Sequence, residues 1–262
     1  MRTPQHRTAP RASAAHEPTA LERPTPTRPR ADVPARRHGL RPWRSLDYLG
    51  RDLVALRRPR DRNTRRRMLP LTVDGFLLIH VPKTAGTSVS AAFYGPDVFI
   101  GHTTARQARR AIGPWAYARL LSFGFVRDPV SRVSSTFRYL RAGGAQNRYD
   151  LKWQAALAPY PTLERLVADE RMLTELNRNQ LHFQPQHRFL CDPAGRLLVR
   201  EVGRFEHLAD DVARIAALAG VDVALPTLNT SSADEDEVRL DRAAVARVRE
   251  LYARDRALFG YD

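Results

Sequence analysis

Apolar positions change rhythm along this chain. From about residue 70 onward they fall into short uninterrupted runs, separated by stretches in which they recur every three or four positions. FLLIHV at 76–81 is a run of strand length, and the residues behind it take helical spacing through Val89, Ala92 and Phe93. DVFIGH at 97–102 reads as a second strand. LSFGFVRD at 121–128 reads as a third, leading past Pro129 into a helix that contains Val133, Phe137 and Leu140. Helical spacing dominates from Leu151 to Asn177, and RFLCDPAGRLLVREVGRF at 188–205 has the pattern of a hairpin turning at Asp192 to Gly195. HLADDVARIAALAG at 207–220 and DRAAVARVRELYARDRALFG at 241–260 read as helices. Strands alternating with helices predict an α/β domain with a mainly parallel sheet flanked by helices.

The residues ahead of this pattern are different in kind. Up to about Leu69 the chain is rich in Pro, Arg, Thr and Ala with little periodicity, too few apolar groups to offset the entropy of ordering them. The division expected is a disordered Arg/Pro-rich tail over residues 1–70 and one domain over 71–262. RPWRSLDYLGRDLVALRR at 41–58 places Trp43, Leu46, Leu49, Leu53 and Leu56 on one side of a helix, suited to packing on the domain more than to a membrane surface. Met68 directly precedes the globular pattern and is a second candidate start.

Charge follows the same division. The formal net charge of +15 suggests nucleic acid, but the first 68 residues carry 18 arginines against six acids, while the remainder holds 25 basic and 22 acidic side chains. Nucleic-acid contact is therefore expected only as nonspecific binding by the tail. No apolar run approaches the length of a membrane-spanning helix and no signal-peptide core is present, so a cytoplasmic location is expected. The single cysteine, Cys191, excludes an intramolecular disulfide, and no CxxC or HExxH pattern offers a metal site.

Two segments carry chemistry. HVPKTAGTS at 80–88 runs from a strand into a helix, so its backbone N–H groups and the helix N-terminus face an anion such as phosphate or sulfate. Lys83 adds a compact positive charge and Gly86 a close backbone approach. Lysine is informative because the chain has two, Lys83 and Lys152, among 43 basic residues. The order is not that of a Walker A loop, where lysine follows both glycines. An ordinary strand-to-helix turn with Thr87 or Ser88 as N-cap is the plain structural alternative. The second segment is FVRDPVSRVSSTF at 125–137, where Arg127 stands either as an anion ligand or as an ion-pair partner of Asp128.

With both segments in view, the chain resembles the sulfotransferase superfamily, in particular the carbohydrate sulfotransferases of the Golgi and their bacterial relatives. HFQPQHRFL at 182–190, VGRFEHLADD at 202–211, LPTLNTSS at 225–232 and the closing LYARDRALFGYD extend the likeness over about residues 73–262. The resemblance implies a P-loop-like sulfotransferase fold and a donor, 3'-phosphoadenosine 5'-phosphosulfate. Its 5'-phosphosulfate would lie in the loop of Lys83, Thr84, Ala85, Gly86, Thr87 and Ser88, with Lys83 stabilising the transferring group. Its 3'-phosphate would be held by Arg127 and Ser135, which match an arginine followed eight residues later by serine. The acceptor is a hydroxyl on a carbohydrate or another small molecule, and no metal is required. A Gly-His pair after the phosphate-loop helix supplies the base in some carbohydrate sulfotransferases, and Gly101 with His102 matches it. His102 also ends a strand candidate, where the carboxyl ends of α/β strands border the ligand crevice. A His102 that merely caps the helix beginning near Thr103 is the plain alternative.

Other polar residues read as structural: His80 as a brace inside the first strand, His182 and His187 as loop hydrogen bonders, Glu206 and His207 as a helix start. Asp234 to Glu237 reads as an acidic first helical turn. Two other functions compete: a nucleotide kinase or triphosphatase with an atypical phosphate loop, and a non-enzymatic protein that binds acidic polymers through its tail.

Overall fold

The computed structural model describes residues 62–226 and 240–261. A helix α1 (Arg62–Met68) and a single 3-10 turn lead into strand β1 (Phe76–Leu78), then α2 (Gly86–Tyr94), α3 (Ala105–Ile112) and α4 (Pro114–Arg119). Strand β2 (Leu121–Val126) is followed by α5 (Pro129–Arg141), α6 (Arg148–Leu157), α7 (Leu163–Ala168), α8 (Glu170–Asn179) and the short α9 (His187–Leu190). Strand β3 (Glu201–Arg204) then precedes α10 (Leu208–Ala219), α11 (Arg242–Leu251) and α12 (Ala253–Phe259).

The strands form a three-stranded sheet in the order β1-β2-β3, parallel throughout, with Phe76 opposite Leu121 and Val126 opposite Arg204. The expected α/β architecture is therefore present on a small sheet. Because all three strands run the same way, their carboxyl ends emerge on one edge: the loop after β1, Arg127 after β2, and Phe205 with Glu206 after β3. That edge is where an open α/β sheet places its ligands.

Two apolar clusters support it. One surrounds the sheet, with Phe76, Leu77, Ile79, Phe123, Phe125, Leu190 and Ile215 all buried. The other is helical and gathers Val133, Phe137, Leu140, Leu157, Leu166, Leu176, Phe183 and Val248. Helix α5 contributes Val133, Phe137 and Leu140 to the second. Its Arg132 is fully buried, donating through its guanidinium to the carbonyls of His182 and Gln184 at 2.8 Å each. Among the described residues its Nε finds no hydrogen-bond partner, so those two carbonyls are what offsets burial of the charge.

Three expectations change. DVFIGH at 97–102 is not a strand but an irregular connection; Val98 bonds back to Gly95 and to Ser90, Phe99 is 87% exposed, and Gly101 takes a left-handed φ of 69°. The hairpin at 188–205 keeps its turn, with Gly195 N–H on the Asp192 carbonyl and a lone bridge between Cys191 and Leu197, but its first arm is helix α9 and its second pairs in parallel with β2. The last helical stretch is broken at Tyr252, whose φ of −105° and ψ of 23° separate α11 from α12. Helix α1 packs on α3 and buries Met68, so ordered structure begins before residue 71. The amphipathic stretch at 41–58 and the acidic run at 234–237 lie outside the described residues, as does most of LPTLNTSS.

Asp255, on α12, ties distant parts of the chain. Fully buried, it accepts from the N–H groups of Gln186 and His187 at 2.7 and 2.9 Å and from His187 Nδ1 at 2.6 Å, capping α9 from 68 residues away or more. Asp255→Ala strands three buried donors and should lower unfolding free energy by about 2 to 4 kcal/mol, measured by urea titration. An unchanged midpoint would contradict that role.

Candidate functional site

The loop after β1 folds tightly. The Thr84 hydroxyl donates to the Val81 carbonyl at 2.9 Å, while Lys83 and Ala85 take left-handed backbone angles, φ 66° and 62°. Left-handed residues in a tight turn can direct successive N–H groups toward one side, the geometry of an anion-binding concavity. For residues with a Cβ that conformation is strained, so the surrounding structure has to hold it.

Helix α2 then starts at Gly86 with Ala85 as its N-cap, a residue with no side-chain acceptor. Thr87 and Ser88 are not caps; they lie inside the first turn, Thr87 exposed and Ser88 buried. Side-chain capping is thus left out at this N-terminus, where the helix dipole favours negative charge. The other junction is built differently. Asp128 caps α5 by accepting from Ser131 N–H at 2.8 Å, so an anion there has to be met by side chains.

Arg127 is the side chain placed to do so. Its Nε donates to Ser131 Oγ at 2.9 Å and its guanidinium lies 4.0 Å from the Phe205 ring centroid. The nearby carboxylates are engaged with other donors: Asp128 caps the helix, and Glu206 accepts from Asp128 N–H at 2.7 Å and from the Tyr261 hydroxyl at 2.9 Å. Among the described residues neither Lys83 nor Arg127 has an ion pair. The Arg127 backbone is clasped by the buried Gln186 amide, which accepts from its N–H at 2.9 Å and donates to its carbonyl at 2.8 Å.

Ser135, two turns further along α5 from Arg127, is half-buried, and the stripe formed by Arg127, Ser131, Ser135 and Arg138 repeats at helical spacing. Lys83 Nζ sits 4.3 Å from the ring centroid of Tyr139, on the same helix. Burial, and then the like charges of Arg127 and Arg138, bring its pKa down to about 8. Lys83, Arg127 and Arg138 therefore form a group of mutually repelling cations whose repulsion an anion would relieve.

His102 stands on the other side of the loop. Its Nδ1 is 3.1 Å from the His80 carbonyl, which accepts only, so Nδ1 carries the proton and Nε2 holds the lone pair. It is not a helix cap: α3 is capped by Thr104, in a capping box with Gln107. The His80 ring stacks on it at 4.2 Å between centroids, and the His182 ring meets it edge-on at 5.6 Å. Burial holds the pKa of His80 and His182 down to about 3 each and lowers that of His102; the His80 carbonyl and Asp150 act the other way on His102. The structure thus places Lys83 and Arg127 at one strand edge, with Ser135 farther along α5 and His102 on the His80 carbonyl, just ahead of the loop. Tyr139, Arg138, Ser131 and Gln186 are additions; only the i+4 spacing from Arg127 to Ser131 was visible beforehand. His187 and Glu206 are structural, as expected.

The fold is thus a parallel α/β sheet with an uncapped, lysine-bearing loop at one strand end and an arginine at the next. The chain belongs to the sulfotransferase family, whose model matches residues 70–262. It is a transferase of sulfuryl groups in that general sense. Comparison with curated proteins and with solved structures finds no match. Among the described residues no helix is long and apolar enough to cross a membrane, and no group of three or more His, Cys, Asp or Glu is arranged to hold a metal ion.

The cation group makes a direct prediction. Lys83 should titrate near pH 8, protonated below and neutral above, and Arg138→Ala should raise that midpoint by removing a like charge. Carbon NMR of the lysine Cε checks it, since an ordinary midpoint above 10 would contradict the clustering.

Proposed function

We propose that the chain transfers the sulfuryl group of 3'-phosphoadenosine 5'-phosphosulfate to a hydroxyl of a carbohydrate or another small molecule. The observation that carries the reading is a pair of cations, Lys83 and Arg127, that have no ion pair among the described residues, with Lys83 in a loop that ends at an uncapped helix N-terminus. A donor with negative charge at both ends matches two adjacent anion sites of different construction.

Lys83 with the backbone of Thr84, Ala85, Gly86, Thr87 and Ser88 takes the 5'-phosphosulfate. Arg127, its Nε braced by Ser131, takes the 3'-phosphate together with Ser135. The acceptor oxygen attacks sulfur as the bond from sulfur to the bridging phosphate oxygen breaks, leaving adenosine 3',5'-bisphosphate and a sulfate ester. Lys83 offsets the charge that grows on the leaving phosphate, and His102 Nε2 takes the hydroxyl proton. Catalysis is then positioning plus charge stabilisation, as in phosphoryl transfer. Nucleoside triphosphate chemistry is the second reading; it calls for a divalent cation, so transfer that persists in excess chelator counts against it.

Lys83→Ala and Arg127→Ala should each weaken adenosine 3',5'-bisphosphate binding by about 1 to 3 kcal/mol in calorimetry. Wild-type affinity in both would overturn the donor site. Adenosine 5'-phosphosulfate, lacking the 3'-phosphate, should bind more weakly than the full donor, and equal binding would remove Arg127 and Ser135 from this role. His102→Ala should lower turnover about 10² to 10⁴-fold with bisphosphate binding nearly intact. Since its pKa is lowered, the base is already neutral near pH 6.5, and kcat/KM should fall only below that pH. On the alkaline side kcat/KM for the donor should decline through about 8 as Lys83 loses its proton.

A further inference from the structure

We propose that His80 is a positioning residue for His102: its ring, wedged between the Cβ-less face of Gly86 and the His102 imidazole, holds His102 against the His80 carbonyl and keeps Nε2 as the lone-pair nitrogen. The proposal rests on His102 being the base.

The wedge is tight. A Cβ on Gly86 would lie 1.9 Å from His80 Cδ2 and 2.0 Å from its Nε2, so the glycine of the loop is required by the histidine ring. On its other side that ring meets His102, 4.2 Å between centroids and inclined at 47°. A hydrogen bond between the His80 ring and the Gly101 backbone adds a third contact. The exit of β1 is therefore cross-tied to residues 101 and 102 twice, once by the His80 ring on Gly101 and once by the His80 carbonyl on His102 Nδ1. No strand ladder joins those segments, and the side chains supply what a ladder would have supplied.

A single carbonyl is a weak restraint on an imidazole, which in water favours the proton on Nε2. The His80 ring removes the alternative by filling the space into which His102 would swing. The remaining neighbours leave the assignment intact. His182 is fixed in the opposite tautomer: Gln180 Oε1 accepts from the N–H groups of His182 and Phe183, so Gln180 Nε2 donates to His182 Nδ1 at 3.1 Å and the His182 proton is on Nε2. Lys83 and Asp150 act on His102 through charge, in opposite directions. Burial keeps the His80 ring neutral at working pH, so it serves as a wedge and donor and does not compete for the proton. Donor loop and base are then one mechanical unit, joined at the contact of Gly86 with His80.

The test uses the full chain labelled with nitrogen-15 in histidine, and long-range proton–nitrogen NMR, which reads the tautomer of each ring without an acceptor. Wild-type His102 is expected in the Nδ1–H form. In His80→Leu it should pass mainly to the Nε2–H form, with its titration midpoint rising toward the ordinary imidazole value. His80→Gln, which keeps a polar side chain, is expected to show the same change and serves if the leucine variant folds poorly. Wild-type His102 in the Nε2–H form, or an unchanged tautomer and midpoint in the His80 variants, would overturn the proposal. The base reading is judged separately, by turnover of His102→Ala.

Discussion

Like charges forced together are the constraint around which this site is arranged. Burial, and then the charges of Arg127 and Arg138, lowers the pKa of Lys83. Burial and Arg138 lower that of Arg127, where Glu206 and Asp128 act the other way while also serving other donors, Asp128 on a helix N-terminus and Glu206 on a backbone N–H and a phenol. At ordinary protein surfaces such cations acquire carboxylate partners, each worth little. Lys83 and Arg127 have no ion pair among the described residues, and an anion beside them would relieve the repulsion.

The fold maintains that arrangement from below. Parallel pairing of β1, β2 and β3 delivers their carboxyl ends to one edge, and each end contributes something different: a loop, an arginine, and an aromatic face under that arginine. The Gln186 amide grips the Arg127 backbone as another strand would, and Asp255 grips Gln186 in turn. Arg132 points the other way, into the helical cluster, and pins the segment of His182 and Gln184 against α5. Arg132, inside α5, is buried, whereas Arg127, two residues ahead of that helix, stays at the strand edge.

Much of this was legible in the order of residues. The strand-length run FLLIHV, the turn at Asp192 to Gly195 and the helices of the C-terminal half follow from local pattern, and the paired motifs around Lys83 and Arg127 located the strand edge. The departures have physical causes. DVFIGH has the composition of a strand but no neighbour to pair with, and pairing is a tertiary property. The His80 ring lies against Gly86, a contact between residues six positions apart that no periodicity announces. Likewise Asp255 and Gln186 carry no local signal, because their partners lie 59 residues or more away in the chain.

The central claim is that the cation group serves a sulfuryl donor. The most direct measurement incubates the purified full-length chain with radiolabelled 3'-phosphoadenosine 5'-phosphosulfate and a panel of carbohydrate and small-molecule alcohols, followed by mass spectrometry of the products. Transfer should appear as the gain of one sulfuryl group on an acceptor with an equal amount of adenosine 3',5'-bisphosphate released, in the presence of chelator. A donor that is neither bound nor consumed, with nucleoside triphosphate turned over only when magnesium is supplied, would contradict it.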